Sequence, residues 1–388
     1  MVTLGCRLNI AESETIRSLL GARDTVVVNS CAVTNAAVKE TRAAIRRAAR
    51  RRPEAEIVVT GCAAEIEPAS FAAMPEVSRV VGNRDKLLPA SWGVEATPQP
   101  LFGEHSRAFI EVQNGCDHRC TFCAIPFGRG ASRSVPAGAV VERAAQAVAA
   151  GHREVVLTGV DVTSYGGDLP GAPTFGSLVE RILHHVPGLE RLRLSSLDAV
   201  EIDERLFELV TGEARVMPHL HLSMQAGNDL VLKRMKRRHA RADAIALVER
   251  IKAKRDVAIG ADLIAGFPTE DEAMFADTLA ILDDCDVVHA HVFPFSPRAG
   301  TPAARMPQVA PTVVRDRAAR LRAAAADRRG RWLRSLVGSE QAVLVERSGA
   351  CGHAANFAEV RVAPALPGSI RRVRITGATD THLEGIAA

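Results

Sequence analysis

The sequence predicts an α/β protein in three parts: an N-terminal parallel βαβ domain, a central partial (β/α)6 barrel, and a small C-terminal β-barrel of the OB type. Three observations carry this. Apolar runs and helical stretches alternate from the first residues, six further strand-then-helix units follow without a Rossmann-type glycine fingerprint, and the final segment holds only short strands. The parts are expected at residues 1–95, 106–330 and 336–388.

In the first part the pattern gives a strand at Met1 to Leu4, a helix through Glu12 to Leu20, and a strand at Thr25 to Val28. A helix from Asn35 to Arg52 and a strand at Ile57 to Thr60 follow. In parallel sheets ligands gather at the carboxyl ends of the strands. Each of these three strands runs into a cysteine: Gly5-Cys6, Ser30-Cys31 and Gly61-Cys62. One such cysteine is usually a small buried core residue. Three at equivalent strand ends, two of them after a glycine that lets the backbone come close, point to a three-thiol metal site. Pro89, Gly93, Pro98 and Pro100 mark a linker.

The barrel strands are expected at Phe109 to Val112, Glu154 to Thr158, Arg191 to Ser195, His219 to Ser223, Val257 to Ile264 and Val287 to Phe293. Helical periodicity fills Ala137 to Ala150, Ser177 to His185, Asp203 to Leu209, Asp243 to Lys254 and Glu272 to Asp283. Barrels place their chemistry just after the strands. Those positions hold Cys116, Cys120 and Cys123, then Gly159 and Asp161, Ser195 and Ser196, Gln225, Gly266, and Pro294 to Ser296. After Pro311 comes an arginine-dense helix from Arg315 to Arg334, read equally as a solvated face or a polyanion contact. The last part reads as strands at Gln341 to Glu346, Ala358 to Val362, Ile370 to Thr376 and His382 to Ile386, with Phe357 as its one stacking ring.

Composition bounds the chemistry. The chain has 388 residues, 47% hydrophobic and 24% charged, with a formal net charge of +4. That is a globular composition, neither disordered nor fibrous. No secretory leader opens the sequence and no run approaches a membrane span, so the cytoplasm is the expected compartment. In that compartment eight cysteines serve as ligands or catalytic groups more often than as disulfides. Six of them form the two groups of three; Cys285 and Cys351 are expected to be structural or incidental.

Two chemistries fit the loop Cys116-Asp117-His118-Arg119-Cys120-Thr121-Phe122-Cys123. Zinc would take four ligands, with His118 as the fourth, in a non-catalytic RNA-binding protein. A 4Fe-4S cluster would use three thiolates and leave one iron open for the amino and carboxylate groups of S-adenosylmethionine.

The Cys-x3-Cys-x2-Cys spacing with Phe122 before its last cysteine resembles the signature of the radical S-adenosylmethionine superfamily. With Cys6, Cys31 and Cys62 upstream and a basic β-barrel downstream, the whole chain resembles the methylthiotransferases. Their order is a three-cysteine domain, a radical barrel and a TRAM domain. Gly5-Cys6-Arg7-Leu8-Asn9, Asn29 to Thr34, and Pro126-Phe127-Gly128-Arg129-Gly130 after the loop look most like the MtaB branch of that family.

The resemblance implies that Cys116, Cys120 and Cys123 hold the radical-generating 4Fe-4S cluster, while Cys6, Cys31 and Cys62 hold an auxiliary one that carries the sulfur. It implies contacts to S-adenosylmethionine from Phe122, Gly159, Asp161, Ser195, Gln225, Ile264 and Gly266. The implied reaction adds a methylthio group to C2 of N6-threonylcarbamoyladenosine beside the anticodon, consuming two S-adenosylmethionine molecules. The same chemistry on isopentenyladenosine or on a ribosomal protein side chain is the alternative. Implied partners are the tRNA anticodon stem-loop, an electron donor such as flavodoxin or ferredoxin, and a sulfur donor; no membrane is implied. The first strand begins almost at Met1, shorter than the family's usual pattern, which points to a truncated start or a weakened edge of the first domain.

Overall fold

The computed structural model describes residues 1–20, 23–95, 102–103 and 105–388. Pro98 and Pro100 of the expected linker lie outside the described residues. Among the described residues no helix is long and apolar enough to cross a membrane.

The N-terminal sheet is parallel throughout, in the order Val2–Thr3, Thr25–Ser30, Glu56–Gly61, Arg79–Val80. Its last strand is too short to show an apolar period. Side-chain alternation buries both faces: Val26, Val28, Ile57 and Val59 pack with Val38 and Ile45, while Val27 and Val58 pack with Ile16, Leu19 and Trp92. The first helix spans Arg7–Leu20 and starts straight after Cys6, earlier than the apolar period suggested, because Leu8, Asn9 and Glu12 all turn inward. The second, Asn35–Arg51, is capped by the Thr34 hydroxyl, which accepts the Ala37 N–H at 3.1 Å.

The barrel consists of two parallel three-stranded sheets. Ala108–Glu111, Glu154–Thr158 and Arg191–Leu194 form one; His219–Gln225, Ala258–Ala265 and Val287–Pro294 form the other. Bridges Leu192 to Val216 and Leu197 to Leu222 join them. The outward residues (Ile110, Val155, Leu157, Leu192, Leu194, Leu220, Leu222, Ile259 and Leu263) make one core with the surrounding helices. By the two-residue period of a strand, the alternate set faces the lumen. That set is mixed: Glu154, Arg191, Arg193, His219, His221, Asp262, His289 and His291 are polar, while Val156, Ile264 and Phe293 are apolar.

The C-terminal unit is a closed five-stranded barrel in the order Glu340–Val345, Cys351–Ala354, Glu359–Arg361, Leu383–Ala387, Ile370–Ala378. The strand Cys351–Ala354 is one that the sequence pattern does not predict. This unit covers the lower end of the lumen: Arg191 Nη2 donates to Ala342 O at 2.7 Å and Arg193 Nη1 to Ala355 O at 3.2 Å. Phe357 departs from its expected role. Its backbone is left-handed (φ 70°), and its ring turns into the lumen against His219 and His353, with centroids 4.9 and 4.7 Å away. The ring is a plug, not an exposed platform for a base.

The arginine-dense helix spans Pro311–Ser335. Much of its charge is spent inside the molecule. Arg317 reaches Glu270 and Glu272, Arg320 reaches Glu272, Arg328 reaches Asp286, Arg331 reaches Asp283, and Arg334 reaches Asp380. The acids come mostly from the helix Glu272–Asp284 and the turn after it, which the sequence alone does not place alongside.

Candidate active site

Strand ends bring the first three cysteines together. Gly5 (φ 96°) and Gly61 (φ 92°) adopt backbone conformations that suit glycine, and both are crowded. A Cβ on Gly5 would stand 3.0 Å from Cys31 Sγ, and one on Gly61 would stand 2.4 Å from Ser30 O. Cys31 feels both partners: burial pushes its thiol up, and Cys62 and Cys6 add to the rise.

Cys116, Cys120 and Cys123 lie in the loop after the first barrel strand. The Cys116 N–H donates to Gly130 O and the Cys123 N–H to Cys120 O, both at 3.1 Å, so the loop closes on itself. Gln113 ties it to the second strand's loop, its Oε1 accepting from the N–H groups of Val160 and Asp161 at 3.1 and 2.9 Å. Gly159 fits beneath because a Cβ there would meet Gln113 O at 2.7 Å. Burial and the Asp161 carboxylate raise the Cys116 thiol to about 12, and burial with the Cys120 thiol nearby raises Cys123 to about 11.

The two triads meet across the boundary between sheet and barrel. The short helix Ile125–Arg129, which follows Cys123, lies on Cys62–Ile66: a Cβ on Gly128 would be 3.2 Å from Cys62 Cβ. Asn83 spans the gap, donating to Gly128 O at 2.5 Å with its Nδ2 3.6 Å from Cys62 Sγ. All eight cysteines are free thiols. Cys285 is buried in the barrel core and Cys351 opens a strand of the C-terminal unit, so neither belongs to a triad.

Behind the contact lies a buried polar lock that the sequence did not reveal. Arg129 reaches Glu12 Oε1 and Oε2 at 2.8 and 3.2 Å, Asn9 Oδ1 at 2.5 Å and Asn114 Oδ1 at 2.9 Å. Lys86 Nζ takes Glu12 Oε2 at 2.5 Å. Burial by itself would raise Glu12, but Lys86 and Arg129 overcome it and hold the carboxyl at about 2.

The remaining expected residues divide. Phe122 and Ile264 join one apolar cluster with Phe267 and Phe293 under the cysteine loop. The Ser195 hydroxyl is buried without a partner, and Gln225 holds a left-handed backbone (φ 68°) at its strand end; both are signs of a ligand site. Gly266 has a packing explanation, since a Cβ there would meet Val314 Cγ2 at 2.7 Å. Asp161 Oδ2 lies 3.8 Å from Cys116 Sγ and 2.7 Å from His118 Nε2. Asp161 and Glu201 raise His118 to about 10. His118 is thus engaged by carboxylates, and its ligand atom lies within 4.8 Å of those of Cys116 and Asp161. Arg237, also missed, puts Nη1 3.7 Å from Cys120 Sγ while Nη2 holds Asp198 at 2.8 Å.

Comparison with known proteins decides the family. Residues 110–282 match the Radical SAM superfamily, and residues 1–82 match Uncharacterized protein family UPF0004. Threonylcarbamoyladenosine tRNA methylthiotransferase MtaB of Rickettsia prowazekii is 44% identical over 407 aligned residues, covering 99% of this chain and 96% of that protein. The chain belongs to the radical SAM methylthiotransferase family. Within the family, MtaB of Bacillus subtilis is 36% identical, with 82% of this chain and 78% of that protein covered. The tRNA-2-methylthio-N(6)-dimethylallyladenosine synthase of a Ruegeria species is 33% identical, with 99% and 97% covered. The solved radical S-adenosylmethionine methyltransferase TsrM of Kitasatospora setae superposes with a TM-score of 0.56 at 14% identity, over 81% of this chain and 80% of that one. That likeness concerns the fold.

The donor sets of this methylthiotransferase fit the family's cofactors. Each triad supplies three free thiols, and none has a fourth protein thiol beside it among the described residues.

Proposed function

We propose that this protein adds a methylthio group to C2 of N6-threonylcarbamoyladenosine in tRNA, next to the anticodon. The observation that supports this reading is the close approach of Gly128, in the helix after Cys123, to Cys62. Similarity over nearly the whole chain to MtaB of Rickettsia prowazekii, at 44% identity against 33% for the dimethylallyladenosine synthase, favours the threonylcarbamoyl substrate.

Cys116, Cys120 and Cys123 hold the radical-generating 4Fe-4S cluster; Cys6, Cys31 and Cys62 hold the auxiliary one. When bound, the first cluster with S-adenosylmethionine supplies a hydrogen-abstracting radical and the second supplies the sulfur. An aromatic C–H has no easy polar route to a C–S bond, which is why both are needed. Phe122, Gly159, Asp161, Ser195, Gln225, Ile264 and Gly266 shape the S-adenosylmethionine pocket. Phe122 and Ile264 form its dry wall, the Ser195 hydroxyl offers a hydrogen bond, and Asp161 is held in place by Gln113 and Ser164. Gly266 acts indirectly, by letting the helix Pro311–Ser335 pack close.

The division of labour runs 1–95 for the auxiliary site, 106–330 for the radical barrel and 336–388 for the TRAM-like unit. A donor such as flavodoxin or ferredoxin brings electrons, a separate donor brings sulfur, and the work is cytoplasmic.

The test compares Cys120→Ala with Cys62→Ala after anaerobic reconstitution. Each variant should keep about half the iron and acid-labile sulfide. Cys120→Ala should lose reductive cleavage of S-adenosylmethionine, whereas Cys62→Ala should keep it and make no methylthioadenosine in tRNA. Stoichiometric zinc without sulfide, or methylthiolation by Cys62→Ala, would sink the reading.

A further inference from the structure

The N6 groups in the relatives' names differ in charge. Threonylcarbamoyl, a threonine joined through its amine to a urea, keeps a free carboxylate and hydroxyl; dimethylallyl is a hydrocarbon. A site for the first needs a cation, and a site for the second needs an apolar wall.

Arg7 is peptide-bonded to Cys6 and opens the first helix. Its guanidinium carbon stands 5.4 Å from the centre of the Phe357 ring at the lower end of the lumen. Arg107 and Arg193 face the same ring at 5.4 and 4.8 Å. The acids there are already taken. Glu154 receives Arg107 Nε at 2.9 Å, Arg193 Nε at 2.8 Å and Arg191 Nη1 at 3.6 Å. Glu346 receives Arg107 Nη2 at 2.6 Å and His353 Nδ1 at 3.0 Å. Arg7 is half-buried, yet among the described residues it makes no ion pair and no hydrogen bond. It is the surplus cation of the cluster.

We propose that Arg7 binds the carboxylate of the substrate's N6 side chain and so selects threonylcarbamoyladenosine over an adenosine with an apolar N6 group. This rests on the proposed function. C2 and the N6-bearing carbon both flank N1 of adenine, so the group that holds the N6 substituent must sit beside the group that delivers sulfur to C2. Arg7 meets that demand by following Cys6 directly in the chain. A guanidinium matches a carboxylate with two parallel donors, and Phe357 backs its plane.

The experiment measures binding to the reconstituted holoprotein by fluorescence anisotropy. The probes are anticodon stem-loop RNAs carrying threonylcarbamoyladenosine, its methyl ester, or dimethylallyladenosine at one position. Wild type should bind the acid at least about tenfold more tightly than the ester. Arg7→Gln should bind both as wild type binds the ester, and Arg7→Lys should restore part of the preference, with iron and sulfide content unchanged in each. Equal affinity of wild type for acid and ester overturns the proposal whatever the variants do, as does an undiminished preference in Arg7→Gln. If wild type methylthiolates the dimethylallyl RNA and not the threonylcarbamoyl RNA, the functional reading itself fails. Should Arg7→Gln lose iron, Arg7→Lys decides: a reduced acid-to-ester ratio supports the proposal and a wild-type ratio overturns it.

Discussion

Arg129 Nη1 lies 2.8 Å from Glu12 Oε1, and both side chains are buried where the N-terminal sheet meets the barrel. The pair fixes one cysteine triad relative to the other, since Glu12 belongs to the helix that follows Cys6 and Arg129 to the one that follows Cys123. Arg129→Met would leave Glu12 with Lys86 as its one remaining cation among the described residues and take a donor from Asn9 Oδ1 and Asn114 Oδ1. Removing one partner of a buried ion pair costs about 3–5 kcal/mol. A matching drop in urea-unfolding stability is expected. Arg129→Lys should rescue little of it, because one ammonium cannot reach the acceptors that the two guanidinium nitrogens serve.

Gly128 lies against Cys62, and a substitution there probes the approach of the two triads. In Gly128→Ala the new methyl carbon would stand 3.2 Å from both the Cβ and the carbonyl oxygen of Cys62, tighter than ordinary contact. The short helix must shift, and Cys62 with it. The expected outcome is selective: methylthiolation falls by tenfold or more, about 1.4 kcal/mol in barrier, while S-adenosylmethionine cleavage stays near wild type. Equal loss of both activities would show that Gly128 serves the loop of Cys116 to Cys123 instead.

His219 and His289 face one another in the lumen with centroids 5.2 Å apart. Burial lowers both, His289 to about 3 and His219 well below its ordinary value, so both stay neutral in the folded protein. The unfolded chain binds protons at these positions as pH falls through about 6.5. Unfolding therefore takes up protons between about 6.5 and 3, and stability is lost as pH drops through that window, by roughly 1.4 kcal/mol per pH unit for each histidine. Denaturant titrations between pH 7.5 and 5 should show the fall, and His289→Phe should make it shallower. A flat wild-type profile would mean that the lumen histidines are solvated.

Much of this was legible in the chain because strands announce themselves by period. Glu154–Thr158 came out with the bounds read from sequence, and the cysteine at each N-terminal strand end pointed to a shared site. What stayed hidden depends on partners far apart. Arg129 and Glu12 are 117 residues apart, so sequence shows two charges and no pair. The strand Cys351–Ala354 is short and contains Gly352 and His353, too polar for an apolar pattern; Gly352 is needed because a Cβ would stand 2.2 Å from Leu344 O. Phe357 read as a free ring because sequence cannot show that its left-handed turn aims it inward. Gln225 and Ser195 were found only as positions after strands; the strain and the orphan hydroxyl that single them out are properties of the fold.

The long arginine helix offers a test of what its charge is for. Arg317, Arg320, Arg328, Arg331 and Arg334 are paired with acids of this chain, whereas Arg315 and Arg322 have no ion pair among the described residues. A cation already matched by a carboxylate gains little from a phosphate, because the new contact must replace the old one. A free one releases a counterion from the nucleic acid when it binds. Arg315→Ala with Arg322→Ala should therefore weaken tRNA binding and lower the slope of log affinity against log salt by about two. Arg328→Ala with Arg331→Ala should leave that slope near wild type and act on stability, by at most about 1 kcal/mol for each exposed pair. Filter-binding titrations at several salt concentrations separate the cases; an unchanged slope in the first double variant would return the whole helix to a structural role.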